Sequence, residues 1–422
     1  MAILTSPAVD RRGTEPNAPF EGRRRSLVVE LLAHPQASFY LVLVPAVLLL
    51  ALGMMMVLSA SSVYGFVQFG DAYYFVKRQV VFLLLGGLAA FLLARRSPQH
   101  LKVLGWALVV AAVGLQLLTF TPLGFTKNGN TNWVQFGTSF FRVQPSELAK
   151  MAIVVWGADI FARKHKLLSD PRHLLVPFVP VSGILIGLVV MQADLGTGII
   201  MGALVLAVLW YVGASWKLLA GIVGGVAVTL GLLVVTSTYR MNRILGFFNQ
   251  DLDPLGVNHQ PIRAIFALAS GGWWGLGLGA SRQKWGGLVE SHTDYVLAVI
   301  GEELGLVGTL LVLVLFLILG YAGFRIAMRS DIRFCRYAAA GITSWFMIQA
   351  LVNIAVVLRM VPVLGVPLPL VSYGGSSLMV NLMGLGVLLA CARQEPAYRA
   401  LLRRRSSRKR DRALVTTAAG RG

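Results

Sequence analysis

Three carboxylates lie where a polar segment of the chain runs into an apolar one, in the stretch 287–308: Asp294, Glu302 and Glu303. An acid beside a membrane-length apolar run is costly unless it faces protein or water, so each is a candidate for chemistry. Along a helix, Glu302 would lie about 12 Å from Asp294 and about 80° around the axis, whereas the carboxylate pairs of glycosidases are about 5–9.5 Å apart. We therefore expect Asp294, at the water boundary, to act as a lone general base. The two glutamates are expected to make structural polar contacts between helices.

Glu147 and Lys150, in "QPSELAK", form a second candidate pair because a spacing of three places them on one helix face. Pro145 and Ser146 are typical of a helix start, and the helix dipole favours an acid in the first turn. Capping alone would therefore explain Glu147. A Glu–Lys pair just inside a membrane helix is nevertheless expensive unless protein or water surrounds it, which favours a functional role.

Other polar clusters lie in the connections between apolar runs. Asp194, in "MQADLGTG", is equally consistent with a helix cap and with a functional role, and Trp133 alone is typical of an interfacial anchor. The longest connection, 237–293, contains the run "SGGWWGLGLG", and glycine allows a backbone to approach a ligand closely. Basic residues near this run would suit an anionic headgroup at the membrane surface. They are Arg240, Arg243, Arg263, Arg282 and Lys284.

The stretch "VPVLGVPLPLVSYGGSS", residues 361–377, contains three prolines that break any helix before the last apolar run opens at its glycines and serines. Irregular backbone at membrane depth is tolerated only where it is buried in protein or lines a cavity. The stretch therefore predicts a cavity that opens outward, and Ser376 and Ser377 are candidate substrate-binding residues.

Composition indicates that membrane helices position these residues. Of the 422 residues, 56% are hydrophobic and only 13% are charged, against about 25% charged in soluble domains. A bilayer core requires about 20 apolar residues per helix. Ten runs fit this length: 39–60, 76–94, 102–120, 146–162, 174–191, 196–213, 217–236, 294–323, 335–358 and 372–392. We therefore predict an all-α polytopic membrane protein with ten transmembrane helices.

Lys and Arg cluster in alternate connections, which predicts two cytoplasmic termini and a large extracytoplasmic loop, 237–293, between helices 7 and 8. The net charge of +20 is accordingly a topology signal and not a sign of nucleic-acid binding. The predicted organisation is a disordered cytoplasmic arm (1–38) without a cleavable signal peptide, a membrane domain (39–395) and a basic cytoplasmic tail (396–422). The two cysteines suggest no disulfide framework, and no cluster has metal-ligand spacing.

Taken in order, the motifs "NWVQFG", "QPSELAK", "QADLGTG", "SGGWWGLGLG", "ESHTDYVLAVIGEELG" and "GVPLPLVSYGGSS" resemble those of the SEDS family (shape, elongation, division and sporulation) over about residues 39–395. The resemblance implies a peptidoglycan glycosyltransferase that polymerises lipid II into glycan strands at the outer face of the cytoplasmic membrane. It also implies a class B penicillin-binding protein as the transpeptidase partner, together with other divisome proteins.

The resemblance assigns roles residue by residue. The essential acid of the family's H-T/N-D-F/Y motif falls on Asp294, the Glu and Lys that line the same cavity fall on Glu147 and Lys150, and the Trp of its R-W-I/V motif falls on Trp133. The Arg usual before that Trp is Asn132 here, so any phosphate contact made by that Arg must come from elsewhere or be absent.

The residues suit that chemistry because lipid II already carries a good leaving group, a diphosphate. One carboxylate and nearby cations are then sufficient: Asp294 deprotonates the attacking sugar hydroxyl, and Lys150 or an outer-loop arginine such as Arg243 stabilises the phosphate. Lys284 is a further candidate. A divalent cation, Mg or Mn, held mostly by the substrate diphosphate, could replace one of these cations.

Three alternatives remain open. The polar arm and basic tail favour the division branch of the family, at the septum, over the elongation branch. A lipid II flippase or other transporter would share broken helices and buried charge, but transporter sites lie near the midplane, whereas the acids here map to the outer side and no inverted repeat is evident. A non-catalytic scaffold would need no acid at the mouth of a cavity.

Overall fold

The computed structural model describes residues 32–403 apart from 128–129, 138–139, 237, 249–257, 286–287 and 289–290, and it leaves the side chains of residues 127, 239, 240, 243 and 244 undescribed. The chain is mainly helical. In chain order the helices are α1 Ala37–Phe69, α2 Tyr74–Ala94, α3 Pro98–Leu118, α4 Pro145–Arg163, α5 Pro171–Leu175, α6 Phe178–Met191, α7 Leu195–Val212, α8 Trp216–Val235, α9 Thr238–Phe248, α10 His259–Gly271, α11 Val296–Arg329, α12 Arg333–Val357, α13 Ser376–Ala392 and α14 Pro396–Arg403.

Each of the ten apolar runs forms a helix, and the all-α polytopic membrane fold is confirmed. Within the described part of the chain, eight spans are long and apolar enough to cross a membrane when α5 and α6 are counted together as Pro171–Met191. The number is nine if α13 and α14, which meet at a bend of 73°, form one broken span. Two predicted spans differ from the others: α13 has only 17 residues, and α4 carries four charges. Those charges are Glu147, Lys150, Asp159 and Arg163. The count of ten, the cytoplasmic termini and the domain boundaries therefore stay predictions, and residues 1–31 and 404–422 lie outside the described part.

A small antiparallel sheet, which the sequence analysis did not anticipate, occupies the connection before α4. Its strands are β1 Gly124–Lys127, β2 Asn130–Gln135 and β3 Arg142–Val143, in the order β1-β2-β3. The register pairs Phe125 with Trp133 and Gln135 with Arg142. An Asn-Gly pair between two short strands is a strong hairpin signal, so residues 128–129 carried a sequence cue for this sheet.

The glycine-rich run of the 237–293 connection, called the outer loop after its predicted orientation, packs against α11. Gly305 interrupts α11 with φ of 69°, which removes helical donors from the carbonyls of the preceding turn. Backbone N–H groups of the run take their place: Leu276 donates to the Glu302 carbonyl at 2.9 Å. At Gly275 a Cβ would lie 2.1 Å from the Glu303 carbonyl oxygen, so only glycine allows this approach.

Candidate active site

Asp294 lies just before α11 on a backbone that is held from two sides. Tyr373 donates its N–H to the carbonyl of His292 at 2.9 Å, and the Asn353 side chain donates to the carbonyl of Asp294 at 2.8 Å. Asp294 as a residue is partly exposed, and one of its carboxylate oxygens lies 3.7 Å from the place that a Cβ would take at Gly365. A fixed backbone in a partly exposed acidic residue is an arrangement suited to a general base.

Two amides on one face of α12 support the irregular segment beside Asp294. Gln349 and Asn353 are four residues apart and are buried. Gln349 donates to the carbonyl of Pro367 at 2.9 Å, and Asn353 donates to that of Val366 at 2.7 Å. These bonds satisfy carbonyls that the proline-containing backbone cannot pair internally. Sequence reasoning missed both residues, although two amides at helical spacing in an apolar run are a recognisable signal.

Glu147 and Lys150 form the predicted ion pair, with 2.9 Å between Oε1 and Nζ. Their side chains are only 2% and 1% exposed, so protein and not water surrounds them. Lys150 also donates to Gln349 Oε1 at 2.7 Å, and its Nζ lies 5.7 Å from the centroid of the Trp345 ring. The pair is therefore linked, through Gln349, to the segment that borders Asp294.

The start of α4 is joined to the start of α13. α4 begins at Pro145, as predicted, but Ser146 does not cap it, since the N-cap residue is Gln144 and no side-chain cap bond forms. The backbone N–H of Gln144 donates to Ser376 Oγ at 3.1 Å. Ser376 and Ser377 are both buried, so these two candidate binding residues face protein in this conformation.

Asp194 connects α7 to the sheet. Its Oδ1 accepts the Thr197 N–H at 3.1 Å, so Asp194 does cap α7, which was one of the two roles that the sequence allowed. Its Oδ2 accepts Asn132 Nδ2 at 2.7 Å and Gln144 Nε2 at 3.4 Å. The side chain at position 132 thus contacts Asp194 through a neutral amide, and Trp133 follows it in β2, half-buried.

Two arginines that the sequence analysis did not single out lie near Tyr373. Arg78 of α2 is buried, and Arg142 of β3 stacks 3.6 Å over the Phe125 ring and donates to Gln135 Oε1 at 3.0 Å. Burial, and next the positive charge of Arg78, lowers the pKa of Arg142. Tyr373 lies beside both. Among the described residues neither arginine forms a salt bridge, so the cluster has an excess of positive charge that suits an anion.

Both arginines carried a sequence signal. Arg78 is a charge within an apolar run, which marks a residue that faces protein or a polar cavity. Arg142 stands three residues before Pro145, directly ahead of the "VQPSELAK" stretch.

Lys284, Glu302 and Glu303 form a separate buried cluster. Lys284 Nζ lies 3.0 Å from Glu303 Oε1 and 3.0 Å from Ser59 Oγ, and it donates to a backbone carbonyl at 2.7 Å. Ser281 donates to Glu302 at 2.5 Å. The glutamates thus tie the outer loop and α1 to α11, which is a structural contact that involves the loop as well as a helix. A phosphate contact by Lys284 would require it to exchange these partners.

Two further expectations are not tested by the geometry. Arg243 belongs to α9, but its side chain lies outside the described residues. Within the described residues, no three His, Cys, Asp or Glu side chains converge as a metal site would require. A divalent cation held mainly by a substrate diphosphate would need no such group.

Residues 39–397 match the FtsW/RodA/SpoVE family, described as cell cycle proteins. A probable peptidoglycan glycosyltransferase FtsW of Mycobacterium tuberculosis (strain H37Rv) is 37% identical over 390 residues, which cover 92% of this chain and 74% of that relative. Stage V sporulation protein E of Bacillus subtilis (strain 168) is 36% identical over 359 residues, which cover 84% of this chain and 96% of that protein.

Solved structures show the same likeness. A chain of a peptidoglycan synthase complex, in a study of how polymerization and crosslinking are coordinated, has a TM-score of 0.65 and 28% identity, and the match covers 83% of this chain and 96% of that one. The rod shape determining protein RodA of Thermus thermophilus has a TM-score of 0.59 and 28% identity, with 84% and 97% covered. The family match spans the segments that carry Glu147, Lys150 and Asp294.

Proposed function

Because the chain belongs to the FtsW/RodA/SpoVE family, we propose that it is a peptidoglycan glycosyltransferase that polymerises lipid II at the outer face of the cytoplasmic membrane. One observation carries the proposal: the segment that begins at Tyr373, whose N–H holds the backbone two residues before Asp294, also borders Arg78 at Gly375, and the positive charge of Arg78 reaches Arg142. Neither arginine has a carboxylate partner among the described residues. A base and an anion-binding cluster on one structural unit are the minimum that transfer from a lipid diphosphate requires.

In the proposed reaction, the Asp294 carboxylate accepts the proton of the attacking sugar hydroxyl. The hydroxyl oxygen forms the new glycosidic bond as the bond between the donor sugar and its diphosphate breaks, and undecaprenyl diphosphate leaves with the bonding electrons. Arg78 and Arg142 offset the charge that develops on the leaving diphosphate. A divalent cation held by the diphosphate would add to this neutralisation when bound.

Glu147 and Lys150 have a supporting role in this proposal. Lys150 donates one hydrogen bond to Glu147 and one to Gln349. Gln349 in turn donates to the carbonyl of Pro367. The pair thereby helps to fix the segment that borders Asp294. Direct contact of Lys150 with a phosphate would require it to release one of these acceptors.

A transpeptidase partner and a role in division complete the proposal. A class B penicillin-binding protein is the expected partner, which is supported by the similarity to a chain of a peptidoglycan synthase complex. A role at the division septum, with other divisome proteins, is supported by relatives named FtsW. Septal enrichment of a fluorescent fusion, and filaments of undivided cells on depletion, would test it; loss of rod shape without filamentation would favour the elongation role.

The decisive experiment is reconstitution of the full chain with a candidate class B partner and purified lipid II. Glycan polymer, resolved on a gel, is expected from the complex and not from the partner alone. Vesicles loaded with lipid II test the alternative function, because a flippase would move lipid II across the bilayer without forming polymer. Lipid movement without polymer, from a complex shown to be assembled, would overturn the proposed function.

A further inference from the structure

Arg359 occupies a backbone position that normally favours glycine. It follows the end of α12, where the Met360 N–H donates to the Ala355 carbonyl at 2.7 Å and the Arg359 N–H to the Val356 carbonyl at 3.0 Å. This pair of bonds is the Schellman ending of a helix, in which the left-handed residue is usually glycine. Arg359 adopts the required φ of 56° despite its Cβ. A strained position filled by a long cation calls for a reason other than local stability.

The side chain of Arg359 lines a pocket between the end of α12 and the outer loop. Its enclosed volume is small, about 20 Å³, which is room for one water-sized group such as a single phosphate oxygen, with the rest of the phosphate at the mouth. The wall consists of Phe247, Asn258, Pro261, Arg359, Val361, Pro362 and Val363. The Arg359 Nη2 atom is shielded from solvent and has no hydrogen-bond partner among the described residues. No wall residue is acidic, so the guanidinium has no counterion within this described wall.

We propose that this pocket, the Arg359 pocket, binds the phosphate group of a membrane lipid. A guanidinium prefers a phosphate to a neutral acceptor, and it makes stronger, charge-assisted bonds with it. The remaining wall is largely apolar, as the adjoining lipid chain requires.

The pocket lies close to the proposed reaction centre. Arg359 is six residues, about 9 Å of helix rise, beyond Asn353, which holds the Asp294 carbonyl. A polymerase that joins two lipid-linked sugars must hold two diphosphates, and the Arg78–Arg142 cluster accounts for one. Assigning the Arg359 pocket to the second diphosphate rests on the proposed function, whereas the recognition of lipid phosphate does not.

Two substitutions separate binding from folding. Arg359→Gly removes the guanidinium and relieves the left-handed backbone, so its unfolding temperature should equal or exceed that of the unchanged protein. Arg359→Gln keeps the Cβ and removes only the charge. Lys77→Gln, on an exposed outer lysine, is the matched control.

The probes are undecaprenyl diphosphate and phosphatidylglycerol, titrated into the detergent-purified full chain and counted as bound lipid by native mass spectrometry. Both Arg359 variants should bind at least one lipid about tenfold more weakly, the loss expected for one charge-assisted bond, and Lys77→Gln should not. A loss confined to undecaprenyl diphosphate assigns the pocket to substrate; an equal loss for both lipids assigns it to lipid phosphate in general. Unchanged binding by both Arg359 variants would overturn the proposal.

A carboxylate of the chain itself is the rival occupant. Asp251 and Asp253 fall in the segment 249–257, which lies outside the described residues. Replacing both with Asn should leave lipid affinity unchanged within about twofold, well below the effect of losing one charge-assisted bond. If lipid binds through Arg359 only after that replacement, the natural partner is a carboxylate and the proposal is wrong. These readouts do not use polymer formation, so a failure of the proposed function would be seen separately.

Discussion

Asp294, the proposed general base, has a backbone that is fixed by its neighbours. Its main-chain carbonyl is held by Asn353, and its neighbour His292 is held by Tyr373, whereas the residue itself stays partly exposed. Because these contacts use the backbone, a change of side chain at 294 leaves them in place. Chemistry and folding at this position can therefore be separated by mutation.

Asp294→Asn should abolish most polymer formation while the protein stays folded. The amide keeps the shape but cannot accept the proton, and loss of a general base typically lowers a rate by about 10²–10⁴. Initial rates of glycan formation by the reconstituted complex measure the effect. Asp331→Asn, which removes only an exposed carboxylate paired with Arg399, should retain the full rate. Near-normal polymerisation by Asp294→Asn would rule out the role as base.

Glu147 and Lys150 should behave as a buried pair and not as a simple helix cap. Lys150→Met leaves a buried carboxylate without its cation, and breaking a buried pair costs about 3–5 kcal/mol, whereas loss of a cap costs about 1 kcal/mol. The double variant Glu147→Gln/Lys150→Met removes both charges and should recover much of the stability. Thermal unfolding in detergent compares the unchanged protein, the single variants Lys150→Met and Glu147→Gln, and the double variant. Equal, small losses in both single variants would instead support capping.

Among the elements, α11 depends on the outer loop to complete its backbone hydrogen bonding. The break at Gly305 leaves carbonyls at Glu302 and Glu303 that accept N–H groups from Leu276 and Gly277. The side chains of the same glutamates hold Ser281 and Lys284. Backbone and side-chain hydrogen bonds therefore join the loop to α11. We expect a movement of the loop to displace α11, the helix that begins beside Asp294.

Gly275→Ala should release the loop from α11, and Gly277→Ala should not. Both positions have positive φ, 79° and 103°, so the backbone strain of alanine is similar at the two sites. Only at Gly275 does a Cβ collide with backbone, 2.1 Å from the Glu303 carbonyl oxygen, whereas nothing lies within 4 Å at Gly277. Hydrogen exchange of residues 272–285 should rise in the first variant alone. Equal exchange in both would show that the close approach is not what docks the loop.

At the scale of the whole molecule, the predicted orientation can be tested by labelling. Cys335 and Cys391 are both buried and can be replaced by alanine for a cysteine-free background. A cysteine at Thr121, exposed in the predicted outer connection, should react with an impermeant maleimide in intact cells. A cysteine at Ser169, exposed in a predicted inner connection, should react only after lysis. Labelling of Ser169→Cys in intact cells would show that the predicted orientation of the chain in the membrane is wrong.

Much of this protein follows from the sequence alone, because a bilayer imposes simple rules on a chain. Apolar length located a helix at each of the ten runs, since an exposed peptide group in lipid is too costly to allow another backbone form, although the number of membrane spans stays a prediction. Side-chain spacing brought Glu147 and Lys150 together, since residues three apart share a helix face. The Asp194 cap likewise depends on neighbours in the chain.

Only the tertiary structure decided which distant residues meet. Arg78 and Arg142 belong to separate elements, and local pattern carries no information about their approach. The same holds for Lys284, a candidate phosphate ligand in sequence, whose position against Glu303 and Ser59 depends on how the outer loop folds back. The physical reason is that packing of distant elements determines which charges come within reach of one another: it gives Lys284 a buried carboxylate partner and leaves Arg78 and Arg142 without one among the described residues.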